Sequence, residues 1–317
     1  MMCLRVLSPG LMTTVQDEGR FGYLDYGVPR EGALDLFSAS LANTLVGNAS
    51  GEAVLELTIT GPRMEMLSDA DIAFTGADME MTVNGERAEP WRSLRVTRGD
   101  IIRISRAMHG CRSYLAVTGG FDVPVVMGSR STYLKGRIGG IEGRALVKGD
   151  ELKRGEGPLL AGMRHVVPRE ARPAFPSRVT LRTIPGPQDD AFSSSLDIFF
   201  SSSYEVTPAS DRMGCRLRGP ALRHDHGVAE SIISEPIVPG SVQVPADGQP
   251  IILLMGQTAG GYAKVATIIS ADIPKVAQIR PGDTVRFKSV GLEEAHVAFR
   301  DYMTRWNDLV TRISRSP

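Results

Sequence analysis

No apolar run in this chain approaches the roughly 20 residues needed to cross a bilayer. Nor is there an excess of charge of either sign. The 36 basic and 36 acidic residues cancel, so no long-range field draws the protein to nucleic acid or to an anionic membrane. Aromatic residues make up only 6% of the chain, too few for base-stacking surfaces. Cysteine is scarce: Cys3, Cys111 and Cys215 are odd in number, far apart and never in a CxxC pair. That is the usage of a reduced compartment, and a cytoplasmic protein is expected. The opening MMCLRVLSPG has no extended apolar stretch before its Pro-Gly, which argues against a secretory signal.

Catalytic signatures are missing as well. There is no GxSxG elbow and no HExxH. The glycines from Gly256 to Gly261 have the spacing of a phosphate loop, but Tyr262 stands where the required lysine should be. No lysine sits in a Met-Lys-Met biotinylation context. No covalently bound cofactor is therefore expected. His224 and His226 would share a face on a strand and could hold a metal, but no cysteine or third histidine lies near them in sequence, so no metal is expected.

What is present is short and β-like. The 317 residues favour two domains, and 42% hydrophobic content suffices for two cores. The 34 glycines and 20 prolines punctuate short alternating or β-branched runs. These are Leu55–Thr60, Asp71–Thr75, Met79–Val83, Leu94–Val96, Ile101–Ser105, Ser113–Val117, Ser241–Val244, Pro250–Leu254 and Lys264–Ile269. Closely spaced runs of this length predict sandwiches or barrels, and Asn84-Gly85 marks a hairpin turn. Helical spacing appears twice. One segment runs from about Ala33 to Val46, with Leu34, Phe37, Leu41 and Leu45 on one face and Gly47 as a C-terminal cap. The other runs from Leu292 to about Ile313, with Glu293 and Glu294 at its start and Arg312 and Arg315 towards its end. Its apolar stripe either packs on its own domain or docks a partner.

Glycine and proline crowd the stretch between Gly155 and Pro176, including Gly162, and a boundary is expected there: residues 1–165 as a first β domain and 166–317 as a second with the C-terminal helix. Arg98-Gly99-Asp100 before a strand-like run is repeated by Arg280-Pro281-Gly282-Asp283. Gly61-Pro62 is likewise echoed by Gly219-Pro220, as if two related β domains followed one another.

The candidate chemistry centres on Gly256-Gln257-Thr258-Ala259-Gly260-Gly261-Tyr262-Ala263-Lys264. Glycines let backbone N–H groups approach a ligand, and successive N–H groups form an anion-binding turn. Lys264 would add a point charge and Tyr262 a flat surface with a polar tip. A glycine-rich hairpin without a ligand is the plain alternative. Asp17 and Arg20 lie three apart and could pair, either as a structural salt bridge or as part of a site. The Tyr26–Gly32 segment leads into the first helix, whose free N–H groups could face an anion unless Asp35 already serves them. Asp211-Arg212 sets a carboxylate beside a guanidinium suited to planar carboxylates.

These pieces occur in one order in a known family. TTVQDEGRFGYLDYGVPREGALD (Thr13–Asp35), AVTGGFDVPVVMGSRSTY (Ala116–Tyr133), IPGPQDD (Ile184–Asp190), SDRMGCRLRGP (Ser210–Pro220), VPGSVQVPADGQPI (Val238–Ile251), QTAGGYAK (Gln257–Lys264) and AQIRPGDTVRF (Ala277–Phe287) carry the likeness. Nearly the whole chain resembles the biotin-dependent carboxyltransferase family, also called allophanate hydrolase subunit 2, with the 5-oxoprolinase C subunit and KipA among its members. The resemblance implies a mainly β fold of two cyclophilin-like β-barrel domains.

It also implies a KipI-like partner (the 5-oxoprolinase B subunit) and, for a 5-oxoprolinase, a LamB/YcsF-type A subunit. Together these cleave 5-oxoproline to glutamate with ATP used by the assembled complex. The alternatives are a carboxyltransferase that receives carboxybiotin from a partner and acts on urea or an amide, and a regulator that antagonises a KipI-type kinase inhibitor. For the leading reading, Lys264, Tyr262 and the Gly260-Gly261 backbone are expected to be catalytic. Gln243, Gln257 and Thr258, with Asp17, Arg20, Asp211 and Arg212, would bind substrate. The chain departs from the family pattern at Met255-Gly256, where an acidic residue commonly precedes the loop. It also has Ala259 for Thr, Ala263 for Pro, Glu31 for Ser and Leu34 for Met.

Overall fold

A computed structural model describes residues 1–161, 165–227 and 229–314; Gly162 and Arg315 lie outside them. The chain is mainly β, as the short alternating runs require. It divides into two compact units, one of Met1–Tyr23, Arg30–Phe175 and Arg305–Pro317, the other of Leu24–Pro29 and Pro176–Thr304.

The first unit carries β1 (Met2–Ser8), β2 (Met12–Gln16), α1 (Leu36–Leu45), β3 (Val54–Thr58), β4 (Arg63–Met66), β5 (Ala70–Asp78), β6 (Met81–Val83), β7 (Glu86–Ala88), β8 (Ser93–Val96), β9 (Ile101–Ile104), β10 (His109–Val117), β11 (Phe121–Asp122) and β12 (Glu151–Arg154). They form a seven-stranded sheet, β11-β12-β1-β4-β9-β6-β7, and a five-stranded sheet, β2-β3-β10-β5-β8. Leu4, Met64 and Ile102 of the first sheet share one core with Leu55, Phe74 and Leu115 of the second. The period-2 alternation of a strand turns the intervening residues outward. On β3, β5 and β10 those residues are also buried: Val54, Ala73, Tyr114 and Ala116 pack against Leu41 and Leu45 of α1. The five-stranded sheet is thus covered on both faces.

Polar groups under α1 set where the helix begins. The buried Glu56 carboxylate accepts from the backbone N–H of Leu34 (3.0 Å) and from the Tyr114 hydroxyl (2.9 Å), and that hydroxyl accepts from the Asp35 N–H (2.8 Å). Asp35 is the N-cap, bonding the Ser38 N–H at 3.1 Å, so the helix starts at Leu36 rather than Ala33. The same cap occupies the helix N-terminus that could otherwise have faced an anion. Gly47, at φ +77°, closes the other end. Asn84 and Gly85, both with positive φ, turn β6 into β7.

The repeated Gly-Asp phrase has a local cause. At Thr97–Asp100 and at Arg280–Asp283 the glycine has φ near +90°, and the aspartate accepts the N–H three residues back, at 2.7 and 3.1 Å. Val147–Asp150 makes the same turn before β12, with Gly149 at φ +95° and an aspartate contact of 2.8 Å. The phrase therefore marks a turn chemistry that launches a strand, and both units use it.

In the second unit, β13 (Arg178–Pro185), β14 (Tyr204–Val206), β15 (Gly214–Arg218), β17 (Ser241–Gln243), β18 (Ile251–Leu253), β20 (Lys264–Ile268) and β21 (Thr284–Ser289) close into a barrel in the order β13-β20-β17-β18-β15-β14-β21. Within that barrel the β13–β21 pair is parallel. Between these strands in sequence, β16 (Glu235–Pro236) and β19 (Ala259–Gly260) form a two-stranded ribbon. Helices α2 (Leu196–Ser201) and α3 (Ile273–Gln278) flank the barrel strands in sequence, and Phe199 of α2 stacks on Phe287 with centroids 4.4 Å apart.

Helix α4 (Leu292–Ser314) follows β21. Ala295 packs with Ile269 and Val290 in the second unit, and Leu309 and Ile313 pack in the core around α1 in the first. The stripe is thus largely used for packing within the chain, though Leu292 and Phe299 remain exposed.

Candidate functional site

The glycine loop joins β18 to β20, and the strand it feeds begins with Lys264. The lysine is 3% exposed. Its backbone is clamped by the Ile184–Asp190 segment: the Lys264 N–H donates to the Gln188 side-chain oxygen (3.0 Å), and its carbonyl accepts from the Gln188 N–H (3.3 Å). A Cβ at Gly186 would lie 2.1 Å from the Lys264 carbonyl oxygen, so only glycine permits this approach.

The Lys264 ammonium pairs with the Glu235 carboxylate, whose side chain is 38% exposed. Gln188 closes the triangle, its amide nitrogen donating to Glu235 at 2.7 Å. An ammonium has three N–H donors, and among the described residues Nζ of Lys264 bonds Glu235 alone. The ammonium, and after it the Gln188 amide, hold the Glu235 carboxyl below its ordinary range. Glu235 in turn belongs to β16, paired with Gly260 across the ribbon, so the glutamate and the glycine loop are tied into one ladder.

Gln243 lies opposite Lys264 in the β17–β20 register, beside a bulge. Its amide nitrogen donates to the Tyr262 carbonyl at 3.3 Å and would sit 2.3 Å from a Cβ on Gly260. The Gly261 carbonyl accepts from Ile232 (2.9 Å) and the Thr258 carbonyl from Ile237 (3.3 Å). Tyr262 is 42% exposed, open to a ligand lying against it. Gln257 is turned elsewhere, donating to the Met213 carbonyl at 3.2 Å.

The structure therefore brings Gln243, Gly260, Tyr262 and Lys264 together. Asp211 serves its own turn instead: its Oδ1 accepts from the N–H groups of Met213 (2.7 Å) and Gly214 (3.0 Å). Arg212 beside it is buried. In the first unit, the side-chain pairing of Asp17 with Arg20 is replaced by a shared grip on one loop. Asp17 accepts from Ser129 Oγ (2.7 Å), the Arg130 N–H (2.6 Å) and Ser131 Oγ, while Arg20 Nη2 donates to the Ser131 carbonyl (2.6 Å). Arg20 is 1% exposed, and its Nε and Nη1 have no hydrogen-bond partner among the described residues. Burial pulls its pKa down, against the neighbouring Asp17 and Glu31 charges.

His224 and His226 do not sit on a strand, and the His224 ring lies against Phe192 at 4.5 Å. Glu31, which stands where serine is usual, is a buried residue with φ +53° just before Gly32. Met255 and Ala263, two other departures from the family pattern, are buried apolar neighbours of the loop.

The model of the carboxyltransferase domain, subdomains A and B, matches residues 26–289. The chain belongs to this family. Over 312 residues it is 38% identical to the 5-oxoprolinase C subunit of Escherichia coli strain K12, covering 98% of both chains. It is 36% identical over 284 residues to the 5-oxoprolinase C subunit of Haemophilus influenzae, covering 89% of each. The crystal structure of Kluyveromyces lactis urea carboxylase superposes with a TM-score of 0.90 at 30% identity, over 97% of this chain and 29% of that one.

Reasoning from sequence missed two members of the site, Gln188 and Glu235. Gln188 lies within the IPGPQDD stretch, and Glu235 lies three residues before the Val238–Ile251 stretch. Gln188 is 76 residues from Lys264 in sequence and Glu235 is 29 away; the β13–β20 pairing of the barrel brings up the first and the β16–β19 ribbon the second.

Proposed function

We propose that the chain is the C subunit of an ATP-hydrolysing 5-oxoprolinase. It acts with a KipI-like B subunit and a LamB/YcsF-type A subunit, is inactive alone, and works in the cytoplasm. The observation that carries this reading is the buried Lys264 ammonium, held at the end of a glycine loop with N–H donors to spare. Two relatives named as 5-oxoprolinase C subunits, one aligned over 98% of both chains, support it. The three cysteines are free and buried, in keeping with a reducing compartment.

Opening a lactam places negative charge on the former carbonyl oxygen. A preformed cation and fixed dipoles in a site with little water stabilise that charge more than water does. Lys264 supplies the cation and Gln243 orients the loop through the Tyr262 carbonyl. The exposed Tyr262 ring lies against the substrate, and the Gly260-Gly261 backbone supplies further dipoles. Gln257 and Thr258 border the loop. In the first unit, Arg20 is wholly buried and donates to the Ser131 carbonyl, and Asp17 grips the same loop, so both shape that loop from within. Asp211 and Arg212 shape their own turn in the second. The nucleotide, used by the assembled complex, supplies the driving force for ring opening, and no cofactor is held covalently by this chain.

The test is Lys264→Ala in the assembled complex, followed by 5-oxoproline-dependent ATP hydrolysis. Turnover is expected to fall by about 10²–10³-fold; unchanged turnover removes the lysine from the mechanism. A second reading, a carboxyltransferase taking carboxybiotin from a partner, is favoured by the 0.90 superposition on a urea carboxylase. Avidin separates the two, since it blocks a biotin route and leaves an oxoprolinase untouched.

A further inference from the structure

The partner of Lys264 is a carboxylate rather than a neutral acceptor, and this bears on what the site accepts. A buried lysine with no counter-charge is a strong trap for anions, because charge–charge attraction is barely screened there. 5-Oxoproline carries two groups that could reach such a lysine: a full carboxylate and a neutral lactam carbonyl. A bare ammonium would prefer the carboxylate and hold the molecule with the wrong group at the cation. In this structure Glu235 already supplies one negative charge, fixed by the Gln188 amide at 2.7 Å and by the β16–β19 ribbon. The pair is neutral overall, yet the ammonium keeps N–H donors that Glu235 does not use.

Resting on the oxoprolinase reading, we propose that Glu235 is a specificity-determining residue: it repels free carboxylates from Lys264 and reserves the ammonium for a neutral amide or lactam carbonyl, on which negative charge appears only during reaction. Glu235 is a positioning residue that acts through Lys264. A ground-state carboxylate meets a compensated site. The oxygen of an opening lactam meets a donor whose attraction grows with the charge it acquires, which is the differential binding that lowers a barrier. Gln188 keeps the carboxylate on one side of the ammonium, which leaves the remaining donors unused by Glu235.

The experiment has two arms. In the first, the isolated chain is titrated with acetate, read by thermal shift and by NMR of 15N-labelled lysine side chains. Wild type and Glu235→Asp, which keeps the charge, are expected to bind acetate weakly. Glu235→Gln is expected to bind it roughly tenfold more tightly or better, and the gain is expected to vanish in the Glu235→Gln/Lys264→Met double variant. Equal acetate affinity in wild type and Glu235→Gln, or a gain that survives loss of Lys264, overturns the proposal. This arm needs no turnover, so it stands even if the complex proves not to be an oxoprolinase.

In the second arm, the assembled complex carrying Glu235→Gln is assayed with 5-oxoproline. Binding through the wrong group lowers kcat and KM together and leaves kcat/KM close to wild type, and L-glutamate becomes a tighter inhibitor. A fall in kcat/KM with unchanged KM would show that Glu235 merely props the loop, and would overturn the proposal. No 5-oxoproline-dependent turnover in the wild-type complex would instead overturn the oxoprolinase reading, while the acetate arm still decides the role of Glu235.

Discussion

Two ion clusters in the second unit use the same residue types with their burial inverted. Around Asp272 the anion is buried, while the cations reach solvent, Arg182 half-buried and Lys275 half-exposed. Its fully buried carboxylate accepts from the Arg182 backbone N–H (2.9 Å), from Arg182 Nε (3.1 Å) and Nη2 (2.7 Å), and from Lys275 at 2.8 Å. Around Lys264 the cation is buried, with a half-exposed carboxylate as its single ion-pair partner among the described residues. The first cluster has no capacity left and ties β13 to the segment that begins α3. The second has spare donors and sits at the end of a loop. A saturated pair has a structural part to play, whereas the spare donors of the Lys264 ammonium leave it able to bind.

The sharpest way to break this comparison is to remove each buried charge and read stability and activity together. Lys264→Met is expected to change unfolding free energy by no more than about 1 kcal/mol, because the Glu235 it abandons is exposed and can hydrate. It should nonetheless lower turnover of the complex by about 10²–10³-fold. Urea unfolding of the chain alongside steady-state assays of the complex checks both. A large loss of stability would make Lys264 a structural residue like Asp272.

Asp272→Ala should behave in the opposite sense. Four donors lose their acceptor, and one of them is a backbone N–H. The expected cost is about 3 kcal/mol, read as a lower urea midpoint at unchanged slope. Kinetic constants of whatever folded protein remains should be near wild type. A selective loss of kcat without a loss of stability would erase the distinction between the clusters.

Acid sharpens it further. Burial alone raises the Asp272 carboxyl, but the hydrogen bonds from Arg182 and Lys275 outweigh it and leave the group below its ordinary value of 3.8. A depressed carboxyl contributes stability that is fully present above that ordinary value and is lost as pH falls through the folded-state value. Glu235 is depressed from 4.5 in the same direction, but its carboxylate is exposed and screened. As pH falls below about 5, the stability of wild type should therefore drop more steeply than that of Asp272→Asn, while Glu235→Gln should follow wild type closely. Unfolding free energies over that pH range decide it, and a flattened Glu235→Gln profile would place both clusters in one class.

The contrast also explains what could be read from sequence. Nine strands, among them β3, β10 and β20, together with α1, α4 and the glycine loop, are legible because each rests on a short-range pattern: period-2 alternation, helical spacing, or a run such as Gly-Gly-Tyr-Ala-Lys. The Gly-Asp phrase was legible too, but its third use at Gly149-Asp150 shows that a turn rule, which any strand can use, produced it. Asp17, Arg20 and Asp211 stand out by residue type alone, and their neighbours in space give them other partners. Asp17 turns to Ser129–Ser131 and Asp211 to its own loop backbone. Glu235 stays hidden because an acidic residue before a proline carries no local signal; its meaning comes from a lysine that only the β16–β19 ribbon brings near.

The smallest effect tests whether the loop itself is strained or merely close-packed. Gly186 and Gly260 both face atoms of the site, but different kinds. A Cβ at Gly186 would meet the Lys264 carbonyl at 2.1 Å and the Ala266 nitrogen at 2.7 Å, both backbone atoms of β20. Neither can move without opening the β13–β20 ladder, so Gly186→Ala should cost about 3 kcal/mol. A Cβ at Gly260 would meet the Gln243 amide nitrogen at 2.3 Å, the far end of a flexible side chain. Gly260 does not occupy the left-handed region, so alanine fits its backbone. Gly260→Ala should therefore cost about 1 kcal/mol or less in urea unfolding. It should still raise KM of the complex, because the displaced amide leaves the Tyr262 carbonyl. Equal destabilisation by the two alanines would mean that Gln243 is locked as firmly as backbone, and the loop would then belong with the rigid Asp272 cluster rather than with the adaptable side of Lys264.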